Sequence, residues 1–153
     1  MKSVLFVCLG NICRSALAES AMNLIVKDNG AESEWLIDSC GTASYHIGER
    51  PDSRARATMK KHGLTTQHKA RQLCTEDFHQ FDVIFGMDDN NIRDIERVKP
   101  KGSKARIELL GDYDPQNIKI IEDPYYGGDD GFEVVYEQCM RCCKAFYQQT
   151  SKS

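Results

Sequence analysis

A single α/β domain, with a parallel sheet covered by helices on both faces, is the fold this sequence predicts. Three observations carry that expectation. Short apolar runs alternate along the chain with longer segments of helical period, the mark of repeated right-handed βαβ units. The first run, Ser3-Val4-Leu5-Phe6-Val7-Cys8, carries no charge, as suits a strand buried on both faces. The 153 residues, 41% hydrophobic and 28% charged, suit one domain over 1–153 with a core of its own.

Residues 3–8 read as the first strand. After a glycine turn, Leu17, Ala21, Leu24 and Ile25 fall on one helical face. Residues 35–39 form a second short strand. Residues 52–62 read as a helix with Gly63 at its end. Residues 81–87 are a third strand, apolar apart from Asp82, and 88–98 a polar helix that Pro100 terminates. Residues 107–110 make a fourth strand. Phe132, Val135, Cys139, Cys142, Cys143 and Phe146 then form the buried stripe of a last helix. In sheets of this kind ligands bind at the carboxyl ends of the strands, near a switch in strand order. The first strand ends at Cys8.

Bulk properties narrow the function. A formal charge of -3 gives no general basic field for nucleic acid, so an anion site has to be a local concentration of donors. No apolar run approaches the roughly 18 residues of a membrane helix, so no integral membrane segment is expected. The opening run stops at Cys8, too short for a signal-peptide core. Seven cysteines, an odd number with no secretory signal, argue against a disulfide framework and for a reducing, cytoplasmic setting.

The chemistry concentrates in Cys8-Leu9-Gly10-Asn11-Ile12-Cys13-Arg14-Ser15. A cysteine six residues before an arginine is weak evidence alone. Here the cysteine ends a strand, Arg14 and Ser15 begin a helix, and Gly10 and Asn11 lie between. Glycine and asparagine tolerate left-handed backbone angles, which lets successive N–H groups turn inward. Inward N–H groups form a nest for an anion, and the helix N-terminus adds positive potential. The same field favours thiolate over thiol at Cys8. The planar fork of Arg14 can grip two phosphoryl oxygens, a geometry lysine lacks. Ser15 can hydrogen-bond the sulfur and ease its departure as a leaving group.

A cysteinyl nucleophile attacks phosphorus productively only if the leaving oxygen receives a proton. The candidate donor is Asp123, in Ile120-Ile121-Glu122-Asp123-Pro124-Tyr125-Tyr126-Gly127-Gly128. Pro124 holds Asp123 extended, and the two tyrosines suit a cleft lip. An Asp-Pro pair is otherwise an ordinary turn signal. It gains weight only because the phosphate loop requires an acid.

These residues resemble the low-molecular-weight protein tyrosine phosphatase family nearly end to end. The likeness covers residues 7–15, Asp38-Ser39, His68-Lys69-Ala70-Arg71-Gln72, Met87-Asp88, Ile107-Glu108-Leu109-Leu110-Gly111 and Glu122-Asp123-Pro124-Tyr125-Tyr126-Gly127. The resemblance implies a four-stranded parallel sheet, no metal or other cofactor, and a phosphocysteine intermediate. It puts the nucleophile on Cys8 and the phosphate clamp on Arg14, with residues 8–14 binding phosphate. It gives Asn11 a strained left-handed conformation braced by Ser15, Ser39 and His68. Asp123 protonates the leaving group and then activates water, Asp88 supports the site beneath the acid loop, and Tyr45, Tyr125 and Tyr126 wall the ring of the substrate. The implied substrates are phosphotyrosine proteins and small aryl phosphates, handled by a monomer or weak homodimer. Ala16 stands where many members have proline, Tyr45 where some have tryptophan, and Cys40 where members often have glycine. The last change alters the turn beside Ser39 or adds a thiol near the site.

Cys13 matches a family position that can close a reversible disulfide with the nucleophile, chemistry suited to a readily oxidised thiolate with a neighbouring thiol. A small packing residue is the plainer alternative. Cys139, Cys142 and Cys143 share an apolar stripe and read as core, not zinc ligands. His46, His62 and His79 read as surface or loop residues, and Glu19 as a first-turn acid favoured by the helix dipole. Lys99, Lys101 and Lys104 read as a solvated loop. Two other functions compete with phosphotyrosine hydrolysis. A thiol-dependent arsenate reductase needs a further pair of closely spaced cysteines, whereas the middle of the chain offers only Cys74 and Cys40. An inactive phosphotyrosine-binding module does not need Cys8, Arg14 and Asp123 together.

Overall fold

A computed structural model of the chain describes residues 1–128 and 130–151. Four parallel strands lie in the order β2-β1-β3-β4. They are β1 (Lys2–Cys8), β2 (Trp35–Gly41), β3 (Val83–Gly86) and β4 (Arg106–Leu109). The helices are α1 (Arg14–Asp28), α2 (Ser53–Lys61), α3 (Asp77–Gln80), α4 (Asp89–Val98) and α5 (Asp130–Ser151), with 3₁₀ turns at Glu32–Glu34 and Leu110–Tyr113.

The alternation along β1 divides the core in two. Val4, Phe6 and Cys8 pack into the cluster built with α1, α2 and α5. Leu5 and Val7 face the other way, against Phe78 of α3 and Ile95 of α4. Every residue from Val4 to Val7 is fully buried, so a charge anywhere in that run would be stranded without water. β2 lies on one side of β1 and β3 on the other. The chain therefore reverses direction across the sheet immediately beside the end of β1, and the crevice opens there.

The expected elements are present with shifted ends. β2 runs on to Gly41, which places Cys40 inside the strand. β3 is shorter than 81–87, and β4 ends at Leu109 because Leu110 opens a 3₁₀ turn. Asp52 caps α2 by accepting the Arg54 backbone N–H at 2.8 Å, and Gly63 follows the helix at φ +75°. The four-residue α3 has no counterpart in the sequence reading. Cys40 pairs with Val7 and is fully buried on the sheet face away from Ser39. Its side chain therefore neither remodels the turn nor reaches the site. The close approach is made one residue later: a Cβ on Gly41 would lie 2.7 Å from the Leu9 carbonyl oxygen. Cys139, Cys142 and Cys143 sit in the large core cluster.

Candidate active site

Residues 9–13 join β1 to α1, and their backbone bonding shows how the loop is shaped. The carbonyls of Cys8 and Leu9 accept from Thr42 and Ala43, each at 3.0 Å. The Ile12 carbonyl accepts from Asp52 at 2.8 Å and that of Cys13 from Leu17 at 3.0 Å. The N–H groups of residues 9–14 donate to no backbone carbonyl among the described residues. A loop whose flanking carbonyls are taken and whose N–H groups are left over can hold an anion. Asn11 sits at φ 60°, the left-handed turn that makes this possible. A Cβ on Gly10 would lie 2.9 Å from the His46 ring, so a larger residue there would push that side chain aside.

The Asn11 side chain is 1% exposed, and its surroundings fix the proton positions. The Arg71 N–H can only donate, and it points at Oδ1 from 3.1 Å. Nδ2 is therefore the end that donates to Ser15 Oγ at 2.8 Å and Ser39 Oγ at 2.9 Å. Each hydroxyl keeps its own hydrogen for another acceptor. Ser39 gives it to Glu19 at 2.5 Å. Ser15 Oγ lies 3.0 Å from the Cys8 sulfur and donates its hydrogen there when the sulfur is a thiolate, which can only accept. His68 Nε2 also faces Oδ1, at 2.8 Å, so it must carry a hydrogen. Asn11, Ser15, Ser39 and His68 are thus one network aimed at the sulfur.

Glu19 belongs to that network, and the first-turn reading of it is corrected. It is the sixth residue of α1, turned inward toward Ser39. Burial, with Asp38 nearby, pushes its carboxyl up to about 7 despite the Ser39 hydrogen bond. Glu19, Asp38 and His68 are the one group of metal-type ligands clustered within 4.8 Å among the described residues. Each is already engaged: Glu19 by Ser39, Asp38 by Arg71 at 3.0 Å, and His68 by Asn11.

Arg14 is 3% exposed, its Nη1 2.6 Å from Asp88 and 3.1 Å from the Ile121 carbonyl. Burial works against its charge, but Cys8 and Asp88 outweigh burial and the pKa rises, so the guanidinium stays charged. Asp88 also caps α4 by accepting the Asn91 N–H at 2.8 Å, which anchors the arginine to a helix end. Nη2 of Arg14 stands 3.7 Å from Asp123. Asp123 is held in turn by the Tyr125 N–H at 3.0 Å. Burial, with Asp52 and Cys8 beside it, pushes the Cys13 thiol well up.

Cys8 and Arg14 share one pocket of about 190 Å³ with Tyr45, Asp123, Tyr125 and Tyr126. Tyr45 and Tyr126 are widely exposed, and Tyr125 and Tyr126 meet edge to face at 5.0 Å. His46, read from sequence as a loop residue, is half-buried in the pocket wall and bonded to Glu49 at 3.0 Å. Only its neighbour Tyr45 hinted at this.

A sequence profile of the family described as low molecular weight phosphotyrosine protein phosphatase matches residues 3–153. A rat protein named low molecular weight phosphotyrosine protein phosphatase is 56% identical over 151 residues, covering 97% of this chain and 96% of its own. The crystal structure of Primo-1 superposes with a TM-score of 0.91 at 44% identity, over 97% of each chain. A protein tyrosine phosphatase from Entamoeba histolytica, crystallised with Hepes in its active site, superposes with a TM-score of 0.94 at 34% identity, over 99% of this chain and 98% of the other.

Proposed function

The chain belongs to the low molecular weight phosphotyrosine protein phosphatase family, and on that footing we propose how its own residues hydrolyse phosphotyrosine. The loop amides of residues 9–14 and the Arg14 fork take the phosphoryl oxygens. Cys8 attacks phosphorus in line, and Asp123 gives a proton to the phenolic oxygen as the P–O bond breaks. Asp123, now a carboxylate, takes a proton from water, which attacks the thiophosphate and releases inorganic phosphate with Cys8 as the leaving thiolate. Ser15 assists that departure, because its hydroxyl hydrogen is directed at the sulfur. Tyr45, Tyr125 and Tyr126 receive the aromatic ring, so small aryl phosphates are substrates as well. Asp88 keeps Arg14 aimed.

The observation that supports this most is the Asn11 network, which leaves one hydroxyl proton for the Cys8 sulfur in a loop whose amides are free. The arsenate reductase reading finds less support. Cys40, one of the two thiols it would recruit, is buried across the sheet, and burial pushes its thiol well up. Seven cysteines support residence in the reducing cytoplasm. The test is hydrolysis of para-nitrophenyl phosphate and of a phosphotyrosine peptide with chelator present. Cys8→Ser is expected to abolish turnover and keep phosphate binding. Turnover that survives the substitution would refute the assignment.

A further inference from the structure

One arginine ties the phosphate loop, the acid-bearing loop and the last helix together. Arg54 is the second residue of α2. Its Nε and Nη2 donate to the two carboxylate oxygens of Asp52, each at 3.1 Å. The backbone N–H of that aspartate donates to the Ile12 carbonyl of the phosphate loop at 2.8 Å. With its rotamer held by this fork, the guanidinium lies over two rings, 4.6 Å from the Phe132 centroid and 5.3 Å from that of Tyr125. Phe132 is fully buried at the start of α5, so that side of the stack is fixed. Tyr125 is partly exposed and lines the catalytic pocket. Next to it, Pro124 packs so closely on α5 that a Cβ on Gly131 would come within 3.3 Å. The Tyr125 ring itself has partners of a different kind: the guanidinium on one side and the exposed Tyr126 ring at its edge.

We infer that Arg54 is a positioning residue for phosphotyrosine hydrolysis, holding the Tyr125 ring as the wall against which the substrate ring lies. It acts through Tyr125 and not on the phosphoryl group. Because the Tyr125 N–H also bonds Asp123, the same contact keeps the acid in register with the phenolic oxygen. The inference rests on the phosphatase reading and adds to it a determinant of aryl substrate recognition. A planar, weakly hydrated cation suits this place, since it can be forked to a carboxylate and stacked on rings at once.

The test separates ring recognition from phosphate binding. Arg54→Met keeps an unbranched apolar stem and loses the charge and the fork. Its kcat/KM for a phosphotyrosine peptide is expected to fall about tenfold, the scale of a partly desolvated cation–aromatic contact. The inhibition constant of inorganic phosphate, which engages only the loop and Arg14, is expected to stay at the parent value. In a Tyr125→Leu background the same substitution should change kcat/KM little, because the ring it positions is gone. Arg54→Lys keeps a charge without the fork and should show the same selective loss in smaller measure, a second reading should the methionine variant fold poorly. An unchanged kcat/KM, a phosphate constant that weakens in step, or an undiminished effect without Tyr125 would each overturn the inference. A parent protein that hydrolyses no phosphotyrosine would instead undo the phosphatase reading itself.

Discussion

Replacing Asn11 by alanine and, separately, by glycine measures what shapes the phosphate loop. The asparagine makes four side-chain hydrogen bonds from a 1% exposed position, to Ser15, Ser39, His68 and the Arg71 backbone. Truncation leaves the part-buried Arg71 N–H without its acceptor, at a cost of about 1–3 kcal/mol, whereas His68 Nε2–H keeps Ser39 Oγ at 3.2 Å. The two hydroxyls lose a donor at a smaller cost. Asn11→Ala should therefore destabilise the protein by about 2–4 kcal/mol, with water entering the space offsetting part of the sum. Alanine also resists φ 60° where glycine does not, so Asn11→Gly should be more stable than Asn11→Ala by about 1 kcal/mol. Urea unfolding monitored by tryptophan fluorescence gives both numbers, and inhibition by inorganic phosphate reports the loop. Both variants should bind phosphate more weakly. An alanine variant as stable as the parent, or no more strained than the glycine variant, would refute the reasoning.

Three further outcomes are expected. Asp123→Ala should slow cleavage of phenyl phosphates by about 10²- to 10⁴-fold, with a smaller effect on substrates whose leaving group needs no proton; equal loss on both points to another acid. After peroxide treatment, dithiothreitol should restore activity to the parent but not to Cys13→Ala, because condensation of the Cys8 sulfenic acid with the Cys13 thiol expels water and blocks further oxidation. Equal recovery would leave Cys13 a packing residue. Asp114, whose side chain is fully buried, accepts Arg141 at 3.0 and 3.1 Å, which holds its carboxyl below the usual range although burial opposes this. A depressed carboxyl contributes stability that is present above the ordinary aspartate pKa and lost as pH falls through the folded value. Asp114→Ala should cost about 2 kcal/mol at neutral pH, less than a fully enclosed pair because Arg141 is partly exposed, and the gap to the parent should narrow in acid.

What the sequence disclosed follows from which signals are local. β1 and its loop were legible because a charge-free run, a glycine turn and a helix start are adjacent in the chain. Ser39 and His68 were reached only through the family resemblance. Nothing around either residue points to Asn11, 28 and 57 positions away. Glu19 departs from its sequence expectation for the same reason: on a helix an acid reads as solvent-facing or dipole-favoured, and its partner Ser39 lies on β2. Cys40 shows how parity in a strand decides a question that proximity in sequence leaves open. Ser39 and Cys40 are neighbours in the chain and face opposite cores. Arg54 gave no sequence signal, since its ring partners come from a loop and a helix about seventy residues further on.

In the proposed mechanism the Cys8 sulfur becomes bonded to phosphorus during each turnover. Denaturing quench of the protein while it turns over para-nitrophenyl phosphate, followed by mass spectrometry of its peptides, tests that bond. The peptide holding Cys8 should carry one phosphoryl group, and Cys8→Ser should yield none. Phosphate found on another residue, or a steady turnover with Cys8 never modified, would contradict it.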